Sequence, residues 1–163
     1  MTDVETPIHV RAAHVADLDD LGRMAGQLVR YHHALDPQRF MLMEGVERGY
    51  AHFFASQLDD ADTVLLVAER AGACIGYTYA RLESRDWNAL LDACGALHDI
   101  FVDEAERKNG VATLLLDETV KRLTERGAPR VVLHTATQNA AAQRLFARHG
   151  FRATMFEMTR ELP

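Results

Sequence analysis

Cysteine is scarce in this chain: Cys74 and Cys94 are the only two in 163 residues. Their separation matches neither a metal-ligand pair nor a disulfide framework. With no apolar leader in the acidic opening Met1–Pro7, a reducing compartment and a cytoplasmic protein are expected. No run approaches the roughly 18 apolar residues of a membrane span, so no membrane partner is expected. A basic block is also missing. The 18 Lys and Arg residues are scattered among 24 Asp and Glu, for a net charge of −6. Nucleic-acid binders concentrate basic charge on one face, so that class of partner is excluded from the reading. Neither G-x-x-x-x-G-K-[ST] nor G-x-G-x-x-G occurs, which removes the two commonest nucleotide-phosphate loops. The eight histidines include no H-x-x-x-H pair. His32 and His33 are adjacent, so on a helix they diverge by about 100°. No metal is expected.

What remains is ordinary globular composition, 48% apolar and 26% charged, with no repeat and no Pro/Gly/Ser linker. A chain of this length buries about 70% of its unfolded surface, so residues 1–163 read as one domain. Ile8–Arg11 reads as a strand. Asp17–His33 has mostly helical apolar spacing, with acids in its first turn, and Asp36-Pro37 ends it. Glu44–Leu58 reads as a second helix. Thr63–Glu69 and Cys74–Leu82 are β-rich and separated by Arg70-Ala-Gly-Ala, which predicts an antiparallel hairpin. Glu83–Gly95 is a loop carrying Trp87. Leu97–Val102 is a strand, Gly110–Arg126 an amphipathic helix closed by Gly127, and Arg130–Thr135 a strand. Asn139–His149 is a helix and Phe151–Thr159 a last strand. Strand–helix–strand over 97–135 predicts a parallel pair. The fold class is α/β, or mixed α+β, with one central mixed sheet.

The chemistry concentrates between a strand and a helix, at Val102-Asp-Glu-Ala-Glu-Arg-Lys-Asn-Gly-Val-Ala-Thr113. A helix start leaves about four N–H groups without intrahelical partners, and the macrodipole favours an anion there. Gly110 and Ala112 keep the approach open, while Arg107 and Lys108 add positive charge. A pyrophosphate suits this loop; a merely solvated helix start is the alternative.

Arg107-Lys-Asn-Gly110-Val-Ala112 resembles the R/Q-x-x-G-x-G/A signature of the GNAT acetyltransferase superfamily. Asn139-Ala-Ala-Ala-Gln-Arg-Leu145-Phe146-Ala-Arg-His-Gly150-Phe151 is similar to a second element of that family, and the spacing between the two agrees. The resemblance covers Leu97–Thr159; residues 1–96 match only in their order of elements. It implies a GNAT-type fold: a mostly antiparallel mixed sheet with a splayed parallel strand pair, flanked by helices. It also implies acetyl-CoA as co-substrate, with the pyrophosphate on amides across Lys108, Asn109, Gly110, Val111, Ala112 and Thr113. The pantetheine arm would then lie along Ile100, Phe101 and Val102, with Asn139 contacting the cofactor and Phe146 beside the thioester. Asn139 also reads as an N-cap.

The implied activity is direct transfer, in a ternary complex, of acetyl to a primary amine of a small molecule or peptide. Alkyl amines titrate near 10.4, so about neutral pH a base or a desolvating pocket must supply the free amine. An N–H near Ile100–Val102 would polarise the thioester carbonyl. Many members of the family place a Tyr where this chain has Phe146, which has no proton to give. The thiolate would therefore leave unaided, with water, or with another group such as Tyr77 or Tyr79. Candidate bases are His134, Asp99 and Glu83. Strand alternation turns His98 and Asp99 to opposite faces, and Asp99 is the better base of the two. Tyr31, His33, Asp36, Asp86 and Trp87 are acceptor-binding candidates, since carboxylates with aromatics suit a cationic amine. The resemblance is compatible with a homodimer, though no sequence feature demands one. The rival reading is a non-catalytic regulator that binds CoA or acyl-CoA on a degenerate GNAT fold, and Phe146 supports it.

Overall fold

Apolar residues on both sides of the central strands dictate a sheet covered on both faces. In the computed structural model, which describes residues 6–163, five strands stand in chain order: β1 (Ile8–Ala12), β2 (Thr63–Arg70), β3 (Ala73–Glu83), β4 (Cys94–Val102) and β5 (Val131–Leu133). β1 to β4 pair antiparallel and β4–β5 is parallel. Residues 1–5, most of the acidic opening, lie outside the described residues.

Alternation along β2 sends Leu65 and Val67 to one face and Val64, Leu66 and Ala68 to the other. Helices α1 (Leu18–Leu35) and α2 (Val46–Gln57) cover the first face, where Leu21, Met24 and Phe54 are fully buried against Tyr77. Helices α3 (Val111–Glu125) and α4 (Ala140–Arg148) cover the second, through Leu115, Leu116, Leu123 and Phe146. The close approach of α1 to α2 needs Gly22, since a Cβ there would stand 2.5 Å from the Glu47 carbonyl oxygen. The hairpin turns on Ala71 and Gly72, both at positive φ (51° and 81°), which suits a tight two-residue turn between twisted strands. Buried hydroxyls are satisfied: Thr78 and Thr119 meet at 2.8 Å, and Thr119 also donates to the Leu115 carbonyl.

Two expected strands differ in the fold. β5 is three residues, not the six of Arg130–Thr135, and Phe151–Thr159 forms no strand. β-propensity is realised only against a partner edge, and β5 offers a very short one. Met155 and Phe156 are consecutive, so an extended chain puts apolar groups on both its sides; both stay more than 80% exposed.

One ion pair anchors β1 to the start of α1. Arg11 donates two hydrogen bonds to the buried Asp17 carboxylate, at 2.8 and 2.9 Å, and reaches Glu69 of β2. Burial would raise the Asp17 carboxyl, but the Arg11 hydrogen bonds, the His14 N–H and the Arg11 charge together hold it down, from 3.8 to about 2. A depressed folded value means stability that is complete above the unfolded value and lost as pH falls through the folded one. Asp17→Asn is expected to cost about 2 kcal/mol at neutral pH and to remove the part of acid destabilisation that wild type shows between 3.8 and about 2. Denaturant melts across that range check both.

Candidate acyl-transfer site

β4 and β5 share only three residue pairs, Gly95–Val131, Ala96–Val132 and Leu97–Leu133, and then separate. The Asp103 N–H donates to the Ile75 carbonyl of β3, at 2.9 Å. Alternation therefore aims the amides and carbonyls of Phe101 and Asp99 at β3, and those of Ile100 and Val102 at the edge that β5 has left. Arg107 fits this: its Nε donates to the Val102 carbonyl at 3.2 Å, with the guanidinium 5.9 Å over the Phe101 ring.

The opened edge runs into the start of α3. Gly110 precedes the helix at φ 79°, Lys108 is at φ 69°, and no side chain caps the first turn. The first backbone bond across this start is Leu114 N–H to Gly110 O, so the amides of Val111, Ala112 and Thr113 have no intrahelical acceptor. Nothing lies within 4 Å of where a Gly110 Cβ would be. An anion can reach these donors.

A cavity of about 240 Å³ lies at the fork of β4 and β5. Glu83, Asp86, His98 and His134 supply its polar wall, and Leu91, Leu97 and Val132 part of its apolar one. His98 faces the same side of the sheet as Asp99, against the alternation expected from sequence. Tyr79 pairs Asp99 while Ala80 pairs Leu97, so His98 is an extra residue in β4, a bulge. Its ring stacks on Tyr79 at 5.4 Å, and its Nε2 lies 3.1 Å from Glu83 Oε1.

The sequence profile of the acetyltransferase (GNAT) family matches residues 29–151. The chain belongs to the GNAT acetyltransferase family. Its fold is also that of solved structures at less than 25% identity. A tetramutant of a Bacillus halodurans protein superposes with a TM-score of 0.79 at 20% identity, covering 95% of this chain and 99% of that one. An aminoglycoside N-acetyltransferase in complex with CoA gives 0.77 at 17%, covering 99% of both chains. Glucosamine-6-phosphate N-acetyltransferase from Arabidopsis thaliana gives 0.69 at 14%, covering 96% and 99%. No curated protein sequence matches.

Within this GNAT framework the remaining candidates separate. Asp99 is outside the cavity lining and accepts a hydrogen bond from the fully buried Tyr77 hydroxyl at 3.1 Å. Burial raises the Asp99 carboxyl; the Tyr77 hydrogen bond and the nearby His98 and His32 oppose this without reversing it. Burial and the Asp99 charge push the Tyr77 phenol well up. Tyr79 donates to Gln57, and neither tyrosine lines the cavity. Phe146 is a core residue, edge-on to Phe151 at 5.8 Å. Asn139 caps α4, accepting from the Ala142 N–H at 3.2 Å.

Of the acceptor candidates, only Asp86 lines the cavity. Its Oδ1 also closes the turn carrying Trp87, which is 73% exposed with Arg85 over its ring. Tyr31, His33 and Asp36 stand apart, at the end of α1. There His33 Nδ1 meets the Phe40 carbonyl at 2.7 Å, and Asp36 caps the following turn. His98 joins the cavity wall through a bulge, a feature with no signature in one sequence. Among the described residues, no cluster of three His, Cys, Asp or Glu is arranged to hold a metal ion, and no helix is long and apolar enough to cross a membrane.

A carboxyl raised by burial contributes stability that is lost as pH rises through its folded value. Asp99→Asn keeps an acceptor for Tyr77 and cannot ionise. Its melting midpoint is expected to exceed wild type at about pH 8, the gap closing near pH 4. Thermal melts at the two conditions decide it; a variant less stable at the higher pH contradicts the assignment.

Proposed function

We propose that this chain is an N-acetyltransferase that moves acetyl from acetyl-CoA to a primary amine of a small molecule or peptide, by direct transfer in a ternary complex. The observation that carries this reading is the opened edge of β4 leading to the uncapped start of α3. Acetyl-CoA supplies an activated acyl group as a thioester. The amides from Lys108 to Thr113, with Arg107 and Lys108, fit its pyrophosphate. Ile100 and Val102 present backbone groups to a linear arm as an added strand would, and one of their N–H groups polarises a carbonyl placed there. Asn139, at the start of α4, supplies a further polar contact.

Glu83, Asp99 and His134 are the sequence-derived candidates for deprotonating the amine, and Glu83 and Asp86 give the cavity an acidic wall that favours a cationic acceptor. With Phe146 unable to donate and neither Tyr77 nor Tyr79 lining the cavity, the thiol leaves with water or unaided, its own value being near 8.5.

At 100-fold excess over its dissociation constant, a ligand of the native state adds about 2.7 kcal/mol, which is several degrees for a domain this size. Acetyl-CoA is expected to give that thermal shift. Gly110→Glu should abolish it, while Gly110→Ala, which shares the strain of positive φ (roughly 1–2 kcal/mol), keeps it. No shift with wild type contradicts the reading. Binding without thiol release across a panel of primary amines would support the regulator instead.

A further inference from the structure

We propose that His98, oriented by Glu83, is the base that accepts the proton of the attacking amine; this rests on the acetyl-transfer reading above. His98 is the extra residue of the β4 bulge. It directly follows Leu97, the last residue paired with β5, so it stands where the two strands part. It lines the cavity, and its side chain remains 44% exposed, so solvent and substrate reach it.

The ring is held from two sides. Tyr79 stacks on it with planes 25° apart, and Glu83 Oε1 lies 3.1 Å from Nε2. An ionised carboxylate only accepts, so the neutral imidazole carries its proton on Nε2 and keeps the lone pair on Nδ1. A carboxylate behind an imidazole fixes its tautomer and stabilises the cation formed when it takes a proton, the logic of base and orienting acid in hydrolytic triads. Glu83 is thus a positioning residue.

The rivals are less well placed. Asp99 is outside the cavity lining, and its carboxylate is engaged by the buried Tyr77 hydroxyl. His134 lines the cavity with no side-chain hydrogen bond to orient it among the described residues. The groups around His98 are Glu83 and Tyr79 from β3, Arg81 of the same strand, whose Nε lies 3.6 Å from the same Glu83 oxygen, Asp99 beside it in β4, Asp86 from the loop, and His134 beyond β5.

In the step, the amine nitrogen bonds to the thioester carbonyl carbon and the carbon–sulfur bond breaks, the sulfur leaving with the electron pair. The proton lost by nitrogen passes to His98 Nδ1 and then to solvent.

Two measurements on the full chain test this. Long-range 1H–15N correlation should show His98 as the Nε2–H tautomer in wild type, without substrate, and a mixture of tautomers in Glu83→Ala. With acetyl-CoA and a panel of spermidine, an aminoglycoside and a short peptide, His98→Gln should lower kcat about 100-fold or more. The acidic limb of its pH profile should disappear, and its thermal shift with acetyl-CoA should stay at the wild-type value. An Nδ1–H tautomer in wild type, or a His98→Gln enzyme with wild-type kcat, overturns the assignment. If wild type acetylates none of the amines, the transferase reading fails, and the tautomer still decides whether Glu83 orients His98.

Discussion

An unpaired backbone edge inside a folded sheet is costly, because amides and carbonyls that leave water must find partners. In this protein such an edge begins beside one extra residue. His98 breaks the alternation of β4 directly after Leu97, where pairing with β5 ends, and the next residues turn Ile100 and Val102 toward open space. The fork also creates the cavity and brings His98, Glu83 and His134 to its wall. The same loss of pairing thus leaves both an open strand edge and a cavity beside it.

The fork needs a rigid frame on either side. β3 holds the other edge of β4 over eight residue pairs, so the strand cannot twist to recover its lost partner. Two apolar layers clamp the sheet, with Tyr77 and Phe54 on the α1–α2 side and Leu115, Leu116 and Leu123 on the α3–α4 side. α3 leaves the end of β4 through a short loop, and so its unsatisfied first turn lies where the opened edge ends.

Much of this was legible in one sequence. The two apolar faces of β2, the hairpin around Ala71-Gly72 and the amphipathic stripe of α3 are periodic signals, and the Arg107–Ala112 signature marks the loop that leads into the uncapped start of α3. What stayed hidden depended on register. The bulge moves His98 to the face of Asp99, and only the pairing of Tyr79 with Asp99 and Ala80 with Leu97 reveals it. Asp99 reads from the sequence as an open carboxylate, and only the fold shows its hydrogen bond with the buried Tyr77. The segment after Gly150 has strand-like residues, yet the three-residue β5 gives it no template. His33 and Asp36 have the chemistry of a binding site but serve the end of α1.

The central claim is that the opened edge of β4 receives the acyl carrier as an added strand. Residue-resolved amide hydrogen exchange with and without acetyl-CoA tests it most directly. Without ligand, Ile100 and Val102 should exchange fast, while Phe101, bonded toward β3, exchanges slowly. With saturating acetyl-CoA, Ile100 or Val102 should become at least about tenfold slower, equivalent to roughly 1.4 kcal/mol of added protection, with Phe101 unchanged. Binding that protects the start of α3 and leaves both edge amides as fast as before would contradict the account.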